Sequence, residues 1–355
     1  MAAKYLQIAN DLQDDIYQGK YSESGYLPTE MDISAKYNVS RQTVRHALSI
    51  LVHNGMIERK QGSGSRIIQQ KRNSQTKTIA VVTTYINDYI FPDILKDIQL
   101  ILAKHNYAVL VYATQNKVDE ERKILKSILQ LHVDGLITEG TKTALPSPNL
   151  DLYEKFNTLG IPIVFLHGYY PSLKNIVSIT DDNYGGGYQL TKYIINKGHK
   201  KIAGIFKEDD IQGHERYNGY ISALKDNSIE ISDESVFWYN TILRSEFKQS
   251  SSEIISNYID NVLSKCSAVI CYNDEIAYYL IKALLAKGYK IPDDIAIASF
   301  DNSELSELSP IKITSLAHGS RRIGQKAVEH LIDLIDNKEV KSEIVSWSLI
   351  EKESC

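Results

Sequence analysis

From Thr78 onward the chain alternates between short apolar runs and amphipathic segments, and this alternation restricts its fold more than any other feature. Apolar runs of this length, separated by segments with helical spacing, predict strands that alternate with helices. The predicted strands are Ile79–Thr83, Val109–Tyr112, Val133–Ile137, Ile161–Leu166, Ile202–Phe206, Ala268–Tyr272 and Ile295–Phe300. Such a layout is typical of a doubly wound α/β domain with parallel sheets, and its length of about 280 residues suits two similar lobes.

Polar side chains follow these predicted strands at their carboxyl ends, where sheets of this kind bind ligands. Acids, amides and cations together suit a neutral ligand rich in hydroxyl groups, because each hydroxyl both donates and accepts. The candidate ligand-binding residues near these ends are Tyr85, Asp88, Tyr89, Glu139, His167, Lys207, Asp209, Arg216, Asn273, Asp301 and His318. A structural ion pair is the alternative role for Arg216, and acid–base catalysis or a structural hydrogen bond for His167 and His318.

Other patterns in this region are less specific. The segment 185–187 consists of three glycines but lacks the residue order of a phosphate-binding loop, so close packing of a helix on a strand is favoured. Asp209 and Asp293 begin acidic pairs without His or Cys partners at metal-ligand spacing, so we predict no metal site. Phe237 and Trp238 either cover the cleft or pack in the core. The absence of a GxSxG motif and of an evident Schiff-base lysine motif argues against an enzyme.

The charge of the chain is unevenly distributed. Although the formal net charge is -4, residues 36–72 carry eight Lys and Arg against one acid, Glu58. The first 35 residues carry two bases and six acids, and residues 73–355 carry 30 bases and 37 acids. A short basic region within an acidic chain predicts a localised anionic partner.

Two helices joined by a tight turn are predicted in and before this basic region. Thr29 and Asp32 have the spacing of a capping box, and Ser40 is placed to cap the second helix. The apolar stripe of that second helix is Val44, Leu48 and Leu51. Polar and basic residues crowd its first turns, which is the arrangement of a helix-turn-helix motif.

A basic hairpin is predicted directly after these helices. Residues 56–60 and 65–68 have strand patterns on either side of the sequence Gln-Gly-Ser-Gly. A helix followed by such a hairpin is a winged helix. Arg41 and Arg45 can then read guanine in the major groove, and the glycine tip can approach a phosphate or the minor groove.

The stretch "LPTEMDISAKYNVSRQTVRHALSILVHNGMIERKQGSGS" resembles the winged-helix head of GntR-type bacterial regulators. The P-(S/T)-E cap, the S-R-x-T-V-R-x-A-L recognition helix and the G-x-G wing of that family are all present. Ser65 and Arg66 depart from it, because the family usually has Thr followed by an aromatic residue. The resemblance adds Lys4, Tyr5 and Glu30 to the residues near DNA. The full predicted set is Lys4, Tyr5, Glu30, Ser40, Arg41, Gln42, Thr43, Arg45, Lys60, Gln61, Gly62, Ser63 and Gly64.

The remainder of the chain resembles the effector module of LacI/GalR-type repressors and periplasmic sugar-binding proteins. The motifs that carry this resemblance are "DDNYGGGYQLTKYIINKGHKKIAGI", "GHERYNGY", "VICYNDEIA", "GYKIPDDIAIASFDNSEL" and "ITSLAHGSRRIGQKAVEHLI". Arg216 lies in the motif that supplies a sugar-clamping arginine in that family, and Gln212 precedes the same motif. The GntR-type head on a LacI-type body is similar to the family of L-arabinose-responsive repressors, over essentially the whole chain.

These observations predict an α+β winged helix-turn-helix domain over residues 1–68, a linker over 69–77 and a two-lobed α/β sugar-binding and dimerisation domain over 78–355. The resemblance implies a homodimeric repressor that L-arabinose releases from operator DNA, with no cofactor. A DNA-tethered metabolic enzyme and a regulator of a different sugar are the alternatives. The chain lacks a signal-peptide pattern and a membrane-spanning apolar run, so we expect a cytoplasmic protein without membrane contact.

Overall fold

The computed structural model describes residues 4–17, 20–21, 24–53, 55–60, 64–67, 76–248, 253–318 and 322–355. The chain forms two compact units that meet in sequence between Gln75 and Thr76, and we call them the head and the body. The predicted linker falls mostly on residues 69–75, outside the described residues. Lys77 belongs to the body, where its backbone N–H donates to Asp134 at 2.8 Å.

The described part of the head contains three helices and one antiparallel hairpin, namely α1 (Lys4–Tyr17), α2 (Glu30–Tyr37), α3 (Arg41–His53), β1 (Ile57–Lys60) and β2 (Gly64–Ile67). The predicted capping box is confirmed. Thr29 Oγ1 accepts from the backbone N–H of Asp32, and the Asp32 carboxylate accepts from the backbone N–H of Thr29. Asn38 ends α2 with a φ of 50°, and Ser40 Oγ accepts from the backbone N–H of Thr43 at the start of α3.

A small apolar core holds these elements together. Its members lie on the inner faces of the helices and on β1, and include Ile8, Leu12, Ile33, Val44, Leu48, Leu51 and Ile57. The predicted stripe of α3 is therefore buried, and each such side chain contributes roughly 1.5–3 kcal/mol by leaving water. The backbone N–H of Leu27 donates to Ser65 at 2.9 Å, which ties the hairpin to the segment before α2.

The body is built from strands that alternate with helices. Its strands are β3 (Thr78–Thr83), β4 (Ala108–Ala113), β5 (Gly135–Glu139), β6 (Ile163–Leu166), β7 (Val177–Asp181), β8 (Ile202–Lys207), β9 (Val236–Tyr239), β10 (Ala268–Cys271), β11 (Ala296–Asp301), β12 (Thr314–His318), β13 (Glu343–Val345) and β14 (Trp347–Ile350). Its helices are α4 (Phe91–Lys104), α5 (Val118–Gln130), α6 (Leu150–Thr158), α7 (Asn183–Asn196), α8 (Ile211–Asp226), α9 (Arg244–Phe247), α10 (Glu253–Asn261), α11 (Asp274–Ala286), α12 (Glu304–Leu308) and α13 (Arg322–Ile335).

Two six-stranded sheets define two lobes of the body. The first-lobe sheet has the order β13-β7-β6-β5-β3-β4 and is parallel throughout. The second-lobe sheet has the order β14-β12-β11-β10-β8-β9 and is parallel except for β14, which pairs antiparallel with β12. This is the two-lobed α/β architecture with doubly wound sheets that the alternation predicted.

The chain passes between the lobes three times, from β7 to α7, from β12 to α13 and from β13 to β14. The last helix, α13, therefore packs on the first lobe although β8–β12 of the second lobe precede it. Ala327, Val328 and Leu331 of α13 are fully buried in the same core as Ile79, Ile137 and Val164. Among the described residues no helix is both long and apolar enough to cross a bilayer.

The glycine triplet at 185–187 allows the expected close packing of a helix on strands, because a Cβ on Gly186 would lie 2.6 Å from Trp347 of β14 and 3.1 Å from Phe300 of β11. The triplet also allows close contact with a helix. A Cβ on Gly187 would lie 2.2 Å from the backbone oxygen of Arg216, so α7 and α8 touch backbone to backbone there. Trp238, left open by the sequence, packs against Phe206 and Tyr217 in the second-lobe core.

Candidate DNA-binding and effector sites

The first turns of α3 present polar side chains to solvent. Arg41, Gln42 and Arg45 are exposed, and the first buried residue of the helix is Val44. Within the described part of the head, Arg41 and Gln42 make no side-chain hydrogen bond or ion pair. Their donors and acceptors are therefore free for an external partner, as direct reading of base edges requires.

Arg45 is held by an acid of the neighbouring helix. Its Nε donates to Glu30 Oε2 at 2.9 Å, and Arg59 of the hairpin pairs with the other oxygen of the same carboxylate. Burial raises the pKa of Glu30, but the two arginines together lower it by more than burial raises it, so the pKa is below its ordinary value. A phosphate backbone would repel an unpaired acid, and this pairing neutralises Glu30, as its predicted place near DNA would require.

The remaining DNA-binding candidates are only partly described. Tyr5 stacks on His46 of α3 with ring centroids 4.2 Å apart, and Lys4 is exposed. Gly64 opens β2 with a φ of 81°, a conformation that glycine adopts without strain. The side chain of Lys60 and all of Gln61, Gly62 and Ser63 lie outside the described part of the chain.

A cavity lies between the two lobes, at the carboxyl ends of the parallel strands. Its volume is about 600 Å³ including the open solvent space at its mouth. Ten of the twelve candidate ligand residues line it: Tyr85, Tyr89, Glu139, His167, Lys207, Gln212, Arg216, Asn273, Asp301 and His318. Asp88 and Asp209 are not among its lining residues.

Arg216 is the most deeply buried cation of this cavity, with 2% of its surface exposed. Its Nε donates to Asn183 at 3.0 Å, and its Nη1 donates to the backbone oxygen of Tyr272. The guanidinium lies over the ring of Phe300, 4.3 Å from the centroid. Its Nη2 is 3.5 Å from Asp301 Oδ1, so Arg216 combines the structural ion pair with a place in the cavity wall.

Asp301 and His318 form a charged pair beside Arg216. His318 Nδ1 lies 3.0 Å from Asp181 Oδ1, and its Nε2 lies 3.4 Å from Asp301 Oδ1. Burial lowers the pKa of His318, but the two carboxylates raise it to about 10, so the imidazole is charged at neutral pH. Burial raises the pKa of Asp301, and Arg216, His318 and Tyr89 together lower it to about 2.

The first lobe contributes a second carboxylate and a histidine with a free nitrogen. Glu139 Oε2 accepts from the backbone N–H of Thr84 at 2.8 Å, and Glu139 Oε1 lies 3.3 Å from His167 Nδ1. His167 Nε2 is buried and has no hydrogen-bond partner among the described residues. A buried polar atom without a partner is costly, so this nitrogen is a candidate contact for a ligand.

The two predicted residues outside the lining have partners of their own. Asp209 Oδ1 lies 2.8 Å from Lys207 Nζ, and Asp209 Oδ2 accepts from Thr241 Oγ1 at 2.6 Å. Asp88 pairs with Arg244 at 2.8 Å. These two carboxylates therefore pair with Lys207 and Arg244, which line the cavity, but are not part of its lining themselves.

Several lining residues were not in the predicted set. They are Thr84, Ile90, Phe91, Asp210, Tyr239, Arg244 and Tyr272. Most lie within two residues of a predicted strand or of a predicted site residue, and this closeness in sequence could have identified them as lining residues. Arg244 has no such signal, since it belongs to a four-residue helix that no periodicity indicates. Together the cavity offers aromatic surface, fixed carboxylates and fixed cations, which suits a polyhydroxylated ligand.

Comparison with known proteins agrees with this division. Residues 4–67 match the model of bacterial regulatory proteins of the gntR family, and residues 191–355 match a periplasmic binding protein-like domain. The chain is 34% identical to the arabinose metabolism transcriptional repressor of Geobacillus stearothermophilus, over 95% of this chain and 92% of that protein. It is 32% identical to the repressor of the same description in Halalkalibacterium halodurans, over 95% and 91%. The crystal structure of transcription regulator CcpA of Lactococcus lactis shares the fold, with a TM-score of 0.69 and 24% identity over 79% of this chain and 99% of that one.

The fold together with these matches defines a transcriptional regulator with a GntR-type DNA-binding head and a periplasmic-binding-protein-like body. The chain belongs to the family of arabinose metabolism transcriptional repressors. It is therefore a regulator and not an enzyme.

Proposed function

We propose that this repressor binds operator DNA as a homodimer through α3 and the hairpin, and that L-arabinose releases it. The predicted DNA-binding residues and the ten predicted effector residues that line the cavity carry these two roles. The arabinose repressors to which the chain is 32–34% identical support the choice of sugar. Two heads are needed because one winged helix buries too little surface for specificity against an excess of random DNA.

The charge balance of the cavity is the observation that favours a neutral sugar. Each Lys or Arg that lines the cavity lies against a carboxylate, in the pairs Lys207 with Asp210, Arg216 with Asp301 and Arg244 with Glu275. A phosphate or carboxylate ligand would have to displace these acids to reach a cation. A hydroxyl can instead share the existing groups, because it donates to the carboxylate and accepts from the cation.

Release requires that the sugar bind one form of the body better than another, since a ligand shifts an equilibrium only by its differential affinity. The cavity walls come from both lobes, with Glu139 and His167 on the first and Arg216 and Asp301 on the second. A ligand that contacts both walls favours the form in which they are close. DNA binding by the dimer then depends on the lobe arrangement of each body.

The test is operator binding followed by fluorescence anisotropy, with a panel of neutral pentoses and hexoses and with arabinose 5-phosphate. We expect L-arabinose to release the operator at the lowest concentration and the phosphate ester to have no effect. His167→Ala removes the free Nε2, and should raise the releasing concentration at least about tenfold while operator affinity stays unchanged. His199→Ala is the matched control, because His199 contacts Ser267 outside the cavity. Release by another sugar at lower concentration would overturn the choice of L-arabinose, and normal release of His167→Ala would overturn the site.

A further inference from the structure

Four charged side chains lie together at one side of the effector cavity. Arg244 Nη2 donates to Asp88 Oδ2 at 2.8 Å, while Arg244 Nε and Nη2 donate to the two oxygens of Glu275 at 2.6 and 2.9 Å. Lys248 Nζ lies 3.4 Å from Asp88 and 3.1 Å from Glu275. Two cations therefore share two carboxylates, and the group is electrically balanced.

These side chains come from different lobes. Asp88 lies between β3 and α4 of the first lobe. Arg244 and Lys248 belong to α9 and its C-cap, and Glu275 belongs to the first turn of α11, all in the second lobe. The guanidinium of Arg244 also lies over the ring of Tyr85 of the first lobe, 4.3 Å from its centroid. The cluster thus joins the lobes through one carboxylate and one aromatic ring.

The second-lobe half of the cluster is fixed without help from the first lobe. The Glu275 side chain is 5% exposed and holds Arg244 through both of its oxygens, which orients the guanidinium. The Asp88 side chain is 36% exposed, so it is the partner that water can solvate when the lobes separate. The Asp88–Arg244 bond therefore exists only when the lobes are close, whereas the Glu275–Arg244 bond does not depend on closure.

We propose that Asp88, Arg244, Glu275 and Lys248 form a closure clasp that raises effector affinity by stabilising the closed body. Asp88 is a positioning residue in this device and makes no contact with the ligand. The inference rests on the proposed function only in that an effector binds the closed cleft. An effector that needs the closed form binds with an apparent Kd divided by the fraction of closed protein. Replacing Asp88 lowers that fraction, while Arg244, which lines the cavity, stays held by Glu275.

The first experiment measures L-arabinose affinity by calorimetry in wild type, Asp88→Asn and Asp88→Glu. We expect Asp88→Asn to raise the Kd about 5- to 30-fold, the range that corresponds to one or two kcal/mol of lost coupling. Asp88→Glu keeps the charge and should recover most of the affinity. High salt should weaken arabinose binding more in wild type than in Asp88→Asn, because salt screens the partly exposed Asp88 more strongly than the buried ion pairs of the cavity.

The matched control is Asp151→Asn, which removes an ion pair with Arg122 that joins two residues of the same lobe. Its arabinose Kd should stay within about twofold of wild type. Operator binding by every sugar-free variant shows that the protein is folded. Because closure opposes operator binding in the proposed function, Asp88→Asn should bind operator at least as tightly as wild type, and Asp151→Asn as tightly. Equal Kd and equal salt dependence in wild type and Asp88→Asn would overturn the clasp while the proposed function stands.

The second experiment does not need a ligand. Spin labels on Lys126 of the first lobe and Asn261 of the second, both exposed, report the interlobe distance of the sugar-free protein in Cys266→Ser/Cys355→Ser protein. We expect a shorter-distance population in wild type that Asp88→Asn or high salt reduces and Asp151→Asn leaves unchanged. An identical distance distribution in wild type and Asp88→Asn overturns the clasp. Failure of the wild type to bind any pentose, with the distance change present, overturns the proposed effector and supports the clasp.

Discussion

Asp274 should make the protein less stable as the pH rises through neutrality. This carboxyl is fully buried beneath the effector cavity, and burial together with the negative charge of Asp301 raises its pKa from 3.8 to about 7. The folded protein therefore holds a proton on Asp274 that the unfolded chain loses at a lower pH. Stability from this group is greatest in acid and falls between about pH 4 and pH 7.

The size of the effect follows from the two pKa values. Between about pH 5.5 and pH 8, proton linkage at Asp274 predicts a loss of about 2 kcal/mol in the free energy of unfolding. For a protein of 355 residues that corresponds to about 3 °C in Tm. His318 also makes the protein less stable as the pH rises. Its pKa is raised to about 10 in the folded protein, so above its ordinary pKa of 6.5 the folded protein keeps a proton that the unfolded chain loses. The quantity to compare is therefore the difference between variant and parent.

The variant Asp274→Asn fits the same hydrogen-bond network. One oxygen of Asp274 accepts from the hydroxyls of Ser299 and Ser315, which can rotate and accept from an amide NH₂ instead. The other oxygen accepts from the backbone N–H of Ser303 at 2.6 Å, and the amide oxygen can keep this bond. We expect urea unfolding of Asp274→Asn to lose about 2 kcal/mol less than the parent between about pH 5.5 and pH 8. Asp260→Asn is the control, since Asp260 is exposed and pairs with Lys287. Equal losses in Asp274→Asn and the parent would refute the assignment of a raised pKa to Asp274.

Three further outcomes are expected. Arg45→Ala should weaken operator binding by about 1–3 kcal/mol and relax the base preference, whereas Lys60→Ala should weaken binding to all DNA sequences evenly. Fluorescence anisotropy with operator and random duplexes measures both effects. Equal losses for Arg45→Ala on both duplexes would contradict base reading. Arg216→Ala should lower the free energy of unfolding by about 3–5 kcal/mol, because Asp301 loses a buried partner, and denaturant unfolding near wild-type stability would argue against that pair. Sedimentation at micromolar protein should give the mass of a dimer with and without operator, and a monomer in both would exclude the proposed assembly.

Apolar runs predicted β3, β5, β6, β8, β10 and β11, because a strand buried on both faces must be continuously apolar. They also predicted the edge strand β4, but not β7, β9, β12, β13 or β14. β13 has the sequence Glu-Ile-Val and leaves Ile344 68% exposed, and β14 mixes polar and apolar residues. Such short strands depend on pairing with β7 and β12, a tertiary contact that local sequence does not record.

The effector cavity was predictable to the extent that it follows strand ends. Glu139, His167 and Asp301 could be placed because parallel strands bring their carboxyl ends to one edge. Asp88 also follows the end of a strand, but it lies outside the cavity lining and pairs with Arg244, which lines the cavity. Arg244 escaped detection because its position depends on Glu275, which lies 31 residues further along the chain.

The three passages of the chain between the lobes have a consequence for how the protein is made. The core of the first lobe needs Ala327 and Leu331 of α13, which leave the ribosome after the whole of β8–β12. The first lobe of the nascent chain therefore cannot complete its core, and it exposes an apolar face while the second lobe is synthesised. The buried apolar residues of the described part of the head all lie within the first 57 of the chain, so the head can fold long before. A nascent chain should thus carry a finished DNA-binding head on an unfinished body, and residues 76–181 produced alone should aggregate.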